Sequence, residues 1–134
     1  MQTTITRTIM HMCRYLLGTL MLIGGLNGFL EFLAVPWHHP HLRMMNQCGF
    51  LSVPKSIEIV GGLCLLANRY VIPGLAMLGP VIINIVCFHW FMDRRGIEVG
   101  ITTLILWSVL MIGYRRYYLP LMVWRAEPGG FNST

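Results

Sequence analysis

The sequence predicts an all-α fold, a four-helix transmembrane bundle with both termini on the cytoplasmic side. Two observations carry that prediction. Hydrophobic residues make up 55% of the 134-residue chain and charged ones 11%, with a mean hydropathy of +0.62. A soluble domain carries about 25% charged residues with which to wet its surface. The apolar residues also fall into four uninterrupted runs of about 16 to 22 residues, long enough to match a hydrocarbon layer. None of them alternates with a period of two, which argues against a membrane β-barrel. Four spans of roughly 20 residues leave room for short loops but none for a cofactor domain of Rossmann size. No glycine-rich loop opens a helix after a strand.

The first span is expected over Tyr15 to Val35, ending at Val35-Pro36-Trp37. Arg7 and Arg14 precede it as in a signal peptide, yet the run is too long, holds Asn27 and Glu31, and lacks a small-x-small cleavage site. It therefore reads as retained. The second span, Phe50 to Ala67, places Pro54 in a first helical turn, where the missing N–H costs nothing. It also holds Lys55 and Glu58. Asn68-Arg69-Tyr70 joins it to the third, Val71 to Met92, so those two helices are antiparallel neighbours. Within the third, Gly79-Pro80 predicts a kink. Asp93-Arg94-Arg95-Gly96 leads to the fourth, Val99 to Tyr114, and residues 115–134 form a juxtamembrane tail. Pro36 to Gly49 is the one loop with room for structure of its own. Together these make residues 1–134 a single integral membrane domain.

Charge sets the orientation. The net charge of +5 invites a nucleic-acid reading, but the basic residues flank apolar spans instead of forming one stripe. With the N-terminus inside, the cytoplasmic face holds Arg7, Arg14, Arg69, Arg115, Arg116 and Arg125, six residues against Arg43, Lys55, Arg94 and Arg95 on the other face. Cys13, Cys48, Cys64 and Cys87 show no CxxC spacing and read as small buried hydrophobes, although Cys48 and Cys87 can lie toward the same face.

Depth then concentrates attention on one half of the bundle. The first span's exit, the second's entrance and the third's exit share one membrane face. At 1.5 Å per residue, Glu31 lies roughly 6 to 8 Å inside it, with Glu58 and His89 at similar depth. Asn27 and Asn84 fall nearer mid-bilayer. The opposite half is almost wholly apolar. Ionised groups at such depth face inward and find partners. Lys55 and Glu58 at i, i+3 can pair, as can His89 and Asp93 at i, i+4; Glu31 needs a partner from another helix, with Lys55 and His89 the candidates. Two readings stay open: a hydrogen-bonded cluster that fixes helix register, or a pocket of Glu31, Glu58 and His89 that binds a headgroup or relays protons. Gly24-x-x-x-Gly28 and Gly61-Gly62 read as close-packing positions. His38, His39 and His41 are weak metal-ligand candidates, and no nucleophile stands with a base.

These residues also carry a family resemblance. Gly24-Gly25-Leu26-Asn27-Gly28-Phe29, Lys55-Ser56-Ile57-Glu58-Ile59-Val60-Gly61-Gly62-Leu63 and Leu78-Gly79-Pro80 through Asn84 to Phe88-His89 resemble DoxX-like membrane proteins over roughly Leu16 to Ile112. The resemblance implies a four-helix protein of the bacterial inner membrane, a subunit or partner of a quinone- or thiol-linked redox system. A quinone is the cofactor it suggests, and any enzymatic role would be that of a non-autonomous oxidoreductase subunit. Lys55, Glu58, Asn84 and His89 are the site residues it carries over; no redox cysteine pair accompanies them. The alternative expectation is a non-catalytic accessory subunit that packs against a larger respiratory or photosynthetic complex. Both readings imply membrane-protein partners or self-association.

Overall fold

The structure, a computed structural model, describes residues 2–33, 40–92 and 94–122. Among them every regular element is helical: α1 (Gln2–Leu30), α2 (Pro40–Gln47), α3 (Ser52–Leu66), α4 (Val71–Phe91), α5 (Ile97–Gly113) and α6 (Arg115–Tyr118), then a 3-10 turn over Leu119–Leu121. Two of them, α1 through its Thr4–Leu30 stretch and α4, are long and apolar enough to cross a membrane; α5 is apolar but shorter. With 15 residues, α3 is about 22 Å long, less than a hydrocarbon layer.

The first helix departs most from its expected limits. It begins at Gln2, because helix formation needs no hydrophobicity and neither proline nor glycine interrupts residues 2–17. It ends at Leu30, five residues before Val35. There the Glu31 N–H makes a last helical bond, to the Asn27 carbonyl at 3.0 Å, and the Asn27 side-chain Oδ1 supplies the stop by accepting the Leu33 N–H at 2.7 Å. Glu31 turns into the left-handed region, φ 46°. The other three helices lie within three residues of expectation. The long connection holds α2, which Pro40 opens at a position where its missing N–H is harmless.

α1, α3, α4 and α5 pack in cyclic order, each against its neighbours, with α1 closing on α5. The tightest seam is between α1 and α3. A Cβ at Gly62 would stand 2.9 Å from both the Gly18 carbonyl oxygen and the Leu22 nitrogen, and one at Gly25 would stand 2.9 Å from the Lys55 carbonyl oxygen. Backbones approach this closely only where side chains are missing. Gly61 instead faces Leu78 of α4. On the opposite seam α4 runs unbroken through Pro80, and α5 covers that turn: Trp107 lies over Gly79 and its Nε1–H donates to the Leu75 carbonyl at 2.8 Å.

Leu17, Met21, Leu65, Leu75, Leu78, Ile82 and Leu110 form the buried core. Outward faces stay apolar, with Val60, Leu63, Ile83 and Ile105 exposed. All four cysteines are free, so Cys48 and Cys87 are not joined.

Candidate functional site

The polar half of the bundle is built around one ion pair. Lys55 and Glu58 stand one turn apart on α3, and both carboxylate oxygens accept hydrogen bonds from Lys55 Nζ, at 3.0 and 2.9 Å. Glu58 is 2% exposed. Room for the pair comes from α1. A Cβ at Gly24 would lie 3.2 Å from Glu58 Oε2, and one at Gly28 would overlap the Lys55 stem, 2.5 Å from Cδ. Gly24 and Gly28 are one turn apart, so together they form a trough along α1 into which the pair is pressed. The carboxylate is thereby neutralised and walled off, and the Lys55 stem covers apolar surface while a quarter of its side chain stays exposed.

The other expected members do not join this pair. His89 is buried near the end of α4 and meets Phe88 edge-on, with ring centroids 5.5 Å apart. Gly61 faces Leu78 and Gly74 faces Cys64, a register that sets Glu58 opposite Val81. His89 is therefore roughly 12 Å farther along the axis at 1.5 Å per residue. Asp93, its expected partner, lies outside the described residues. Glu31 is exposed and accepts a hydrogen bond from Asn46 Nδ2 of α2 at 3.4 Å, so its partner is neither Lys55 nor His89. The reason is the early end of α1, which puts Glu31 beyond the helix and outside the bundle. Asn27 is likewise a helix stop instead of a mid-bilayer amide. Asn84 is exposed on α4 and its side chain makes no hydrogen bond within the described residues; it faces away from the interior.

Glu31 offers a direct check of its role. A non-glycine residue in the left-handed region costs about 1 kcal/mol. Replacing Glu31 with glycine is expected to raise stability by about that amount, read as a shift in denaturation midpoint. A loss instead would mean that the carboxylate holds something more than Asn46.

No described group of three His, Cys, Asp or Glu is placed to hold a metal ion. His38 and His39 lie outside the described residues, and His41 falls within α2.

One residue stands out that the hydropathy reading treated only as a flanking charge. Arg14 is 1% exposed. Its Nη2 meets His11 Nδ1 at 3.3 Å and its guanidinium carbon lies 4.8 Å from the Tyr15 ring centre, while Nε and Nη1 are buried without a hydrogen-bond partner. The signal was present in the spacing: Met10, Arg14, Leu17 and Met21 fall on one helical face, and Leu17 and Met21 are core residues. At the same end of the bundle a shallow groove of about 240 Å³ runs between Tyr70–Pro73 and Tyr114 and Tyr117.

No family model matches the chain, and neither a curated protein nor a solved structure matches it.

Proposed function

We propose that this chain is an integral membrane bundle of four helices that serves as a non-catalytic accessory subunit of a larger membrane complex. The observation that carries this reading is the closed state of the Lys55–Glu58 pair. Both carboxylate oxygens are engaged and Glu58 is 2% exposed, so the pair locks α3 to α1 and offers no open face to a headgroup or quinone. Buried polar contacts of this kind set helix register. Glu31, expected in the pocket, and Asn84, expected among the site residues, are both exposed.

Asn84 adds the interaction side. An amide on the outer face of an apolar helix has no partner in lipid, and such groups associate with other transmembrane helices. The α4 face that carries Asn84, beside the exposed Ile83, is the docking face in this reading. In this reading, which follows the resemblance to DoxX-like proteins, the partner is a quinone- or thiol-linked redox complex of the inner membrane and both termini of this chain are cytoplasmic.

The test is a photocrosslinking residue at position 84, followed by gentle detergent extraction and mass spectrometry of the adducts, bound lipids and quinones. A discrete adduct with one membrane protein, lost as a complex on native gels in Asn84→Leu, is the expected result. Adducts with lipid alone, together with a ligand-free monomer, would overturn the accessory reading. An adduct of twice the chain's mass would replace it with self-association.

A further inference from the structure

We propose that the Arg14 end of the bundle binds a phosphate oxyanion, supplied by the headgroup of an anionic phospholipid. The starting point is an unfinished hydrogen-bond set. A guanidinium keeps its charge when buried and presents five N–H groups in a rigid fork. In Arg14 only Nη2 has a partner, His11, while Nε and Nη1 have none although both are sealed from solvent. Buried donors without acceptors are costly and rare, and a charged one is costlier still. The fork matches one ligand class best, a phosphate or carboxylate oxygen pair.

Among the described residues no carboxylate is at hand. Met10 covers Gly113, and Gly18 faces Leu66, which sets Arg14 level with the last turn of α5 and with the Asn68–Tyr70 turn. Of the chain's five acidic residues, Glu31, Glu58 and Glu98 belong to the opposite half of the bundle, and Asp93 and Glu127 lie outside the described residues. The surroundings of Arg14 are instead basic and aromatic. Arg69, Arg115 and Arg116 are exposed at this end. All five tyrosines of the chain gather here as well: Tyr15, Tyr70 and Tyr117 are exposed, and Tyr114 and Tyr118 are half-buried. Tyrosine collects where a protein crosses the headgroup layer, and clustered arginines next to a span attract anionic lipid. The inference therefore rests on the membrane reading above and adds to it a ligand and its site.

The geometry also suggests how a lipid enters. Tyr15 is 50% exposed and stacks on the guanidinium, so rotation of its ring toward the surface uncovers Nε and Nη1. A phosphodiester then accepts from both nitrogens. The groove between Tyr70–Pro73 and Tyr114 and Tyr117 opens at the same end and accommodates the first part of an acyl chain. The exposed arginines raise the local concentration of anionic lipid but do not select its headgroup oxygens.

The experiment uses the full chain in dodecyl maltoside micelles, which carry no phosphate, with and without added phosphatidylglycerol, with thermal unfolding as the readout. Phosphatidylglycerol is expected to raise the wild-type midpoint by about 4 °C or more. Arg14→Met should lose that increment with its helical circular dichroism intact, and Arg115→Gln with Arg116→Gln should keep most of it. Inorganic phosphate added to the lipid-free micelles separates the two sources: a shift with phosphate alone assigns the site to the free ion, and none assigns it to the lipid. Equal wild-type midpoints under all three conditions, or an increment unchanged in Arg14→Met, would overturn the proposal. Should Arg14→Met not fold, native mass spectrometry of the wild type from micelles holding equal amounts of phosphatidylglycerol and phosphate-free diacylglycerol decides: preferential retention of phosphatidylglycerol supports the site and equal retention of both lipids rejects it. Failure of the chain to take up detergent or lipid at all would count against the membrane reading, whereas uptake without preference for phosphatidylglycerol counts against Arg14.

Discussion

Gly62→Ala is expected to destabilise the protein by about 3 kcal/mol, the upper end of what overpacking costs. The added methyl would stand 2.9 Å from the Gly18 carbonyl oxygen, 2.9 Å from the Leu22 nitrogen and 3.3 Å from the Leu22 Cα. These are main-chain atoms of a continuous helix, so no rotamer change relieves them. α1 and α3 must separate, and with them the trough at Gly24 and Gly28 opens. The comparison that isolates this cause is Gly113→Ala, whose methyl meets the flexible end of Met10. A side chain of that kind moves aside, and the expected cost is below about 1 kcal/mol. Unfolding in mixed detergent micelles measures both. Similar losses for the two variants would mean that the α1–α3 seam is looser than its backbone contacts imply.

The second large effect is expected from Lys55→Met. Methionine preserves most of the apolar stem over Gly28 but removes the ammonium that satisfies both Glu58 oxygens. Removing one partner of a buried pair costs 3–5 kcal/mol in water-soluble proteins, because the other charge is left unpaired; with a quarter of the Lys55 side chain exposed, about 3 kcal/mol is expected here. The double variant Lys55→Met with Glu58→Leu should recover most of this loss, since apolar replacement of both members is nearly neutral. That recovery is also what a register-setting pair predicts. A site that works through Glu58 would lose its ligand or partner in the double variant even as stability returns, and pull-down of the same complex from membranes distinguishes the outcomes.

Several features were legible in the sequence because they depend on local chemistry alone. The all-helical character followed from the run lengths, and the i, i+3 spacing of Lys55 and Glu58 was enough to pair them, since residues one turn apart meet whatever surrounds them. Gly61-Gly62 marked a close approach for the same reason, although only the structure shows that Gly62 serves α1 and Gly61 serves Leu78. Asn27 and Glu31 were misplaced because hydropathy does not register a helix stop. Asn27 is apolar-run interior by composition and a terminator by hydrogen bonding.

Although α2 and the first turns of α1 lie outside the apolar runs and escaped it, sequence by itself determined that those runs are largely helical and which charges can pair within one turn. Each of these is set by neighbours at most four residues away along the chain. The tertiary structure decided which side of each helix is inside. Azimuth is a collective property of four packed helices, so a residue's depth along the axis says nothing about the direction in which it points. Asn84 and Glu31 shared the right half of the bundle yet face outward, whereas Arg14, read as a flanking charge, is buried on the core stripe with Leu17 and Met21.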